Sequence, residues 1–125
     1  MKLIGGRHTG LTVGNLERSI AFYRDVLGME LVSCREIDQE FNDGFLGRVV
    51  GIPGAHAKVA LLTLGPMAVE LLEYVAPKGK PSTERSPNNV GNVHVAFEVE
   101  DIEVAYEELT AKGLKVVGRP PYATE

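Results

Sequence analysis

Two histidines are the residues of this 125-residue chain whose type and spacing best suit chemistry. His8 and His94 each lie near the start of a short segment with the composition of a strand, and imidazole is the commonest metal ligand in proteins. Gly10 and Ala96, two residues further on, are very small. Because side chains alternate between the faces of a strand, each small residue shares its histidine's face and leaves space there for a metal ion, a ligand or water.

The two histidines occupy equivalent positions of an internal repeat. Pairs of matching character stand 86 residues apart: His8 and His94, Val13 and Val99, Leu16 and Ile102, and Ile20 and Tyr106. One residue is then lost within the second helix, so that Gly28 and Gly113 are 85 residues apart. A lone histidine on a strand is usually structural, whereas two at equivalent positions of a repeat favour a shared site.

Apolar spacing and turn residues predict the elements that position these histidines. In the first half they predict strands over 7–13, 29–37, 57–64 and 67–74, a helix capped by Asn15 and ended by Gly28, and a short helix over 44–50. In the second half they predict a strand over 93–99, a helix capped by Asp101 and ended by Gly113, and a strand starting at 114–117. The long segment 38–56, with Phe41, Phe45 and Leu46, is either a lid or a satellite core.

A third ligand is expected from the strand over 67–74, which carries two glutamates. Sites with two imidazoles commonly add a carboxylate, and a carboxylate within an apolar strand is costly unless it is paired or bound to metal. Glu70 shares a face with Leu72, and Glu73 shares the other face with Leu71. Alternation alone leaves the choice between them open, and a solvent-facing glutamate on a half-exposed strand is the ordinary alternative.

Composition limits the classes of function. Hydrophobic residues make up 44% of the chain, enough for the core of a single domain. A net charge of −4 argues against a nucleic-acid partner. The lone Cys34 excludes an intramolecular disulfide and is expected to be buried. Because no stretch is long enough to span a membrane and the N-terminus lacks a secretion signal, we predict a cytoplasmic protein with no membrane partner.

Three segments resemble the vicinal oxygen chelate superfamily. This superfamily includes glyoxalase I, methylmalonyl-CoA epimerase, extradiol dioxygenases, and fosfomycin- and bleomycin-resistance proteins. The segments are NLERSIAFYRDVLGM at 15–29, VELLEY at 69–74 and GNVHVAFEV at 91–99. The resemblance implies an α+β fold of paired βαβββ modules with a curved mixed sheet. Within a single domain over 1–125, it predicts a first module at 1–75, a linker at 76–90 and a partial second module at 91–125.

The same resemblance implies one divalent metal ion (Zn, Ni, Co, Mn or Fe) bound by His8, Glu70 and His94, and so selects Glu70 over Glu73. The implied function is a lyase or isomerase of the glyoxalase or epimerase type, which transfers a proton next to a carbonyl of a small-molecule substrate through an enediolate or enolate. Glu70 is the first candidate for the base and Glu98 the second. The alternatives are a ring-cleaving extradiol dioxygenase, whose iron uses the same ligand types, and a metal-free resistance protein.

The second module is expected to be incomplete. From Gly91 to Glu125 the chain has 35 residues, whereas the first module uses about 70 by the resemblance. We therefore expect a truncated second module, either because the sequence ends early or because a partner chain completes it. Strand edges left unpaired in this way predict a homodimer.

Overall fold

The structure, a computed structural model of the chain, describes residues 1–81 and 86–118. The chain divides into two compact units, Met1–Pro81 and Ser82–Glu125. Within the described ranges, no helix combines the length and apolar character that crossing a membrane requires.

The first unit is built on a mixed four-stranded sheet. Its strands are β1 (Thr9–Thr12), β2 (Glu30–Ile37), β3 (His56–Leu64) and β4 (Met67–Ala76), in the spatial order β1-β4-β3-β2. β1 runs parallel to β4, and the other pairs are antiparallel. The helices of this unit are α1 (Leu16–Ala21), which continues into a π-helical turn over Phe22–Val26, and α2 (Phe45–Val50). The α+β class and the predicted order of strand, helix and three strands are confirmed.

One face of the sheet packs against α1. Leu16 and Ile20 of the helix are buried, and so are Leu62 of β3 and Val69 and Leu71 of β4. Alternation along β4 places Val69 and Leu71 on the same face, which is therefore the helix-facing side of the sheet. Burying large aliphatic side chains in this way supplies the main driving force for folding of the unit.

Two side chains cap the start of α1. The Asn15 side-chain oxygen accepts a hydrogen bond of 2.9 Å from the backbone N–H of Arg18, as the sequence predicts. Glu73 of β4 accepts a bond of 2.7 Å at Oε2 from the backbone N–H of Leu16. The first N–H groups of a helix have no partner within the helix, and the helix dipole favours an anion beside them. Glu73 therefore joins β4 to α1 on the helix-facing side.

The opposite face of the sheet carries a second apolar cluster at one end. Its buried members are Ile37, Leu46, Ala55, Ala57 and Val59, with Leu72 and Tyr74 packed against them. Leu46 anchors α2 in this cluster, whereas Phe41 and Phe45 remain exposed and form an edge-to-face pair with ring centroids 6.2 Å apart. The segment before β3 thus packs as a satellite core through Leu46.

Cys34 is exposed, contrary to the sequence-based expectation of burial. It lies on β2, which forms one edge of the sheet. α1 packs mainly against β3 and β4, so the helix does not cover the edge strand at this position.

The second unit contains α3 (Ile102–Ala111), whose predicted N-cap is present. The Asp101 side chain accepts hydrogen bonds from the backbone of Glu103 and Val104 at 2.9 and 3.1 Å. The strands predicted over 93–99 and 114–117 are wrong, because no paired strand is present within 86–118. Val95 and Phe97 are half-buried between exposed neighbours, but a strand exists only through hydrogen bonds to a neighbouring strand.

The two capped helices end in the same way but differ by one residue. Gly28 and Gly113 follow them with φ of 76° and 79°, the left-handed conformation in which glycine commonly terminates a helix. Before Gly28, the backbone N–H of Leu27 donates to the carbonyl of Phe22, five residues earlier, at 3.1 Å. A π-helical turn of this kind accommodates one extra residue within a helix. It therefore accounts for the change in repeat offset from 86 to 85 residues.

The Glu73 cap predicts a difference in stability between the two glutamates of β4. We expect Glu73→Ala to lower the free energy of unfolding by about 1–2 kcal/mol, since it leaves the Leu16 N–H without its charged acceptor. Glu70→Ala is the matched control on the opposite face and should cost about 0.5 kcal/mol or less in metal-free buffer. Urea denaturation measures both values, and equal losses would contradict the role of Glu73 as a cap.

Candidate functional site

The parallel pairing of β1 with β4 brings His8 and Glu70 together. Gly10 of β1 is paired in register with Glu70, and His8, two residues before Gly10, shares its face. The distance from His8 Nε2 to Glu70 Oε1 is 3.5 Å, and the two side chains are 35% and 25% exposed. The pair is thus open to a ligand from outside the sheet.

Gly10 leaves space beside this pair. A Cβ atom built on Gly10 would meet nothing closer than Leu72 Cδ1, at 3.8 Å. The packing of the sheet therefore does not require glycine at this position. Its small size keeps the surface next to Glu70 free, which is what the sequence pattern predicts.

The two glutamates of β4 have different environments. Glu73 lies on the helix-facing side and is hydrogen bonded to the start of α1. Glu70 lies on the opposite side, beside His8. The structure therefore decides which carboxylate shares the face of the histidine, a choice that alternation alone left open. The role of Glu70 as a metal ligand or base stays a prediction.

His94 and Glu98 belong to the second unit. Both are exposed, as is Ala96 between them, whereas Val95 and Phe97 are half-buried. Across residues 1–81 and 86–118, no three His, Cys, Asp or Glu side chains are close enough together to hold a metal ion. The structure thus joins two of the three predicted ligands, and the contribution of His94 stays a prediction.

The geometry of the His8–Glu70 pair fits the binding of one metal ion. Two donors at about 2.1 Å from a tetrahedral ion are about 3.4 Å apart, close to the 3.5 Å between Nε2 and Oε1. A direct hydrogen bond between nitrogen and oxygen is usually shorter, at about 2.7–3.2 Å. One imidazole nitrogen and one carboxylate oxygen suit zinc, manganese, iron and similar divalent ions.

The third histidine of the chain has a different partner. His56 Nε2 lies 2.6 Å from Glu36 Oε1, across the pairing of β3 with β2. Glu36 is paired with Lys58 in register, which places this contact on the side of the sheet away from Glu70. His56 is therefore outside the candidate site.

Among the residues that the structure describes, the groups with shifted pKa values lie on the π-helical turn. Partial burial raises the pKa of Tyr23. Hydrogen bonds from the adjacent Arg24 guanidinium lower the pKa of Asp25, and the same contact raises the pKa of Arg24. Because Arg24 and Asp25 neutralise each other at the surface, this pair gives no indication of catalysis.

One charged residue on the face of the sheet that carries Glu70 could not be recognised from the sequence alone. Arg35 of β2 is paired with Val59, which is paired with Leu72 on the side of β4 that carries Glu70. Its period-two spacing from Ser33 and Ile37 is visible in the sequence. The sequence does not show which face of the sheet this set occupies, because that depends on the register with β3.

Comparisons with known proteins identify relatives of this chain. A 2-epi-5-epi-valiolone epimerase from Actinomyces sp. is 32% identical over 121 residues, covering 94% of this chain and 64% of the epimerase. A probable lactoylglutathione lyase from Synechocystis is 30% identical over 114 residues, covering 90% of this chain and 73% of the lyase. The chain thus spans less than two thirds of the epimerase's length.

A solved structure agrees with these relatives. The crystal structure of a glyoxalase family protein from Bacillus cereus matches with a TM-score of 0.82 and 26% identity, over 94% of this chain and 78% of that one. The sequence model of the Glyoxalase/Bleomycin resistance protein/Dioxygenase superfamily matches residues 7–124. The chain therefore belongs to this superfamily, the vicinal oxygen chelate superfamily that its motifs resemble.

Proposed function

We propose that the protein is a metal-dependent lyase or isomerase of the glyoxalase or epimerase type, which transfers a proton at a carbon next to a carbonyl. The observation that carries this proposal is the His8–Glu70 pair, 3.5 Å apart on an open face of the sheet. The epimerase and lyase relatives support the reaction class. The substrate is a small carbonyl compound.

The metal ligands in this proposal are His8, Glu70 and His94, and the ion is Zn, Ni, Co, Mn or Fe. When bound, a divalent ion polarises the carbonyl oxygen of a substrate and stabilises the negative charge that forms as the adjacent C–H bond breaks. The separation of the His8 and Glu70 donor atoms supports a shared ion.

Glu70 is the first candidate for the group that accepts the proton, provided that its carboxylate is released from the metal as the substrate binds. Its carboxylate lies on the open face and is 25% exposed, so a substrate can reach it. A general base must come within hydrogen-bonding distance of the proton that it removes. Glu98 is the second candidate, because its carboxylate is exposed and lies four residues after His94 in the second unit.

The proposed ligand set predicts which substitutions remove the metal. His8→Ala, Glu70→Ala and His94→Ala should each lower metal affinity at least about tenfold, since each removes one donor. His56→Ala is the matched control and should leave the affinity unchanged. Isothermal titration with Zn²⁺ or Mn²⁺, with elemental analysis of the purified protein, makes the measurement. Unchanged affinity in both the His8 and His94 variants would refute the assignment.

The proposed chemistry predicts metal-dependent exchange of a substrate proton for deuterium. Suitable test compounds are 2-oxoaldehyde thiol adducts and 2-methylmalonyl thioesters, with exchange at the acidic carbon followed by NMR. Adding a divalent metal should start the exchange, and chelation should stop it. If Glu70 is the base, Glu70→Gln slows exchange about 10²–10⁴-fold, whereas Glu98→Gln has the smaller effect.

Two results would contradict the proposed chemistry. Oxygen uptake on catechols with ferrous iron, in the absence of proton exchange, would instead indicate an extradiol dioxygenase. Tight binding of a small molecule with neither exchange nor bound metal would instead indicate a resistance protein.

We also propose that the chain forms a homodimer. β1 and β2 are the two edges of the four-stranded sheet, and edge strands carry backbone groups that can pair with another chain. Light scattering should give twice the 13.5 kDa mass of a single chain. A monomer of that mass with one cooperative thermal transition would contradict the dimer.

A further inference from the structure

Some residues of β1 to β4 lie on the same face of the sheet as Glu70. Among these described residues, Arg35 is the only Lys or Arg. We propose that its guanidinium binds an anionic group of the substrate, a carboxylate or phosphate at the end remote from the C–H bond that reacts. This inference rests on the proposed function, because it assumes that the carbonyl of the substrate binds beside His8 and Glu70.

The register of the sheet sets the distance between Arg35 and Glu70. Two neighbouring rows of paired residues cross the face: Glu70, Leu61 and Ser33, and then Leu72, Val59 and Arg35. Adjacent strands are about 4.8 Å apart, and alternate residues of a strand are about 6.7 Å apart. The Cα atoms of Arg35 and Glu70 are therefore two inter-strand spacings and one row spacing apart, which amounts to about 12 Å. The two side chains can extend over this interval and hold opposite ends of one small molecule.

The surface between the two charged residues is apolar. Leu61 and Leu72 are half-buried, and Val59 is buried in the satellite core against which Leu72 packs. A substrate with its carbonyl beside Glu70 would lay its carbon chain over Leu61 and Leu72. Contact with these side chains removes apolar surface from water and directs the chain towards Arg35.

The guanidinium of Arg35 is available for a ligand. Arg24 is paired with Asp25 at 2.7 Å, and Arg48 donates to the backbone carbonyls of Asn42 and Asp43. Arg35 is exposed and makes no hydrogen bond or ion pair with the residues that the structure describes. Its planar donor group matches two oxygens of a carboxylate or phosphate.

The test compares the binding of 2-oxoglutarate and 2-oxopentanoate to the full chain loaded with Mn²⁺. Both ligands have the same 2-oxo acid group and the same number of carbons, and they differ in the terminal carboxylate of the former. We expect the parent protein to bind 2-oxoglutarate about tenfold more tightly by isothermal titration, since one charge-assisted contact distinguishes the two ligands.

Three variants assign this preference to a residue. Arg35→Gln should bind both ligands with the affinity of the parent for 2-oxopentanoate, and Arg35→Lys should retain part of the preference. Lys58→Gln is the matched control, because it removes one positive charge from the neighbouring strand on the opposite face. The control should keep the full preference.

The outcomes separate this inference from the proposed function. If the parent binds Mn²⁺ and shows no preference, or if Arg35→Gln keeps the preference, the assignment of Arg35 is wrong and the proposed function is untouched. If the parent binds none of Zn²⁺, Ni²⁺, Co²⁺, Mn²⁺ and Fe²⁺, the proposed function is wrong and the anion subsite is wrong with it.

Discussion

The parallel pairing of β1 with β4 is the interaction on which the candidate site depends. It joins residues 9–12 to residues 69–72, and the backbone N–H of Val13 extends it with a bond of 2.8 Å to the carbonyl of Leu72. Without this pairing, His8 would have no defined position relative to Glu70. The contact between Glu73 and the first turn of α1 holds the helix that follows β1 to the same strand, so that the start of the unit is attached to its last strand twice.

β4 serves the core and the candidate site at the same time. Val69 and Leu71 face α1 and are fully buried, whereas Glu70 between them faces the open side. Glu73 is separated from Glu70 by three positions, which places it on the opposite face of the strand. A carboxylate on the helix-facing side is tolerated there because it accepts the N–H of Leu16. The same strand can thus carry two glutamates with different tasks.

The repeat is clearest at the helix ends. The N-cap and glycine signals predicted the starts and ends of both helices, because capping depends on residues within one turn of the helix end. The π-helical turn before Gly28 explains the one-residue difference between the copies in structural terms. The prediction of a strand over 93–99 is wrong because a strand, unlike a helix cap, depends on residues far away in the chain. Its alternation is local, but a strand also needs a neighbour.

We could predict from the sequence the element order of the first unit, the helix caps, and the two histidines at equivalent positions of a repeat. Each of these depends on residues close together in the chain or on spacing that can be counted. The folded structure was needed to show that Glu70, and not Glu73, shares the face of His8, and that Arg35 lies on that face too. These relations depend on the register between strands far apart in sequence, and a shift of one residue would move every side chain of a strand to the other face.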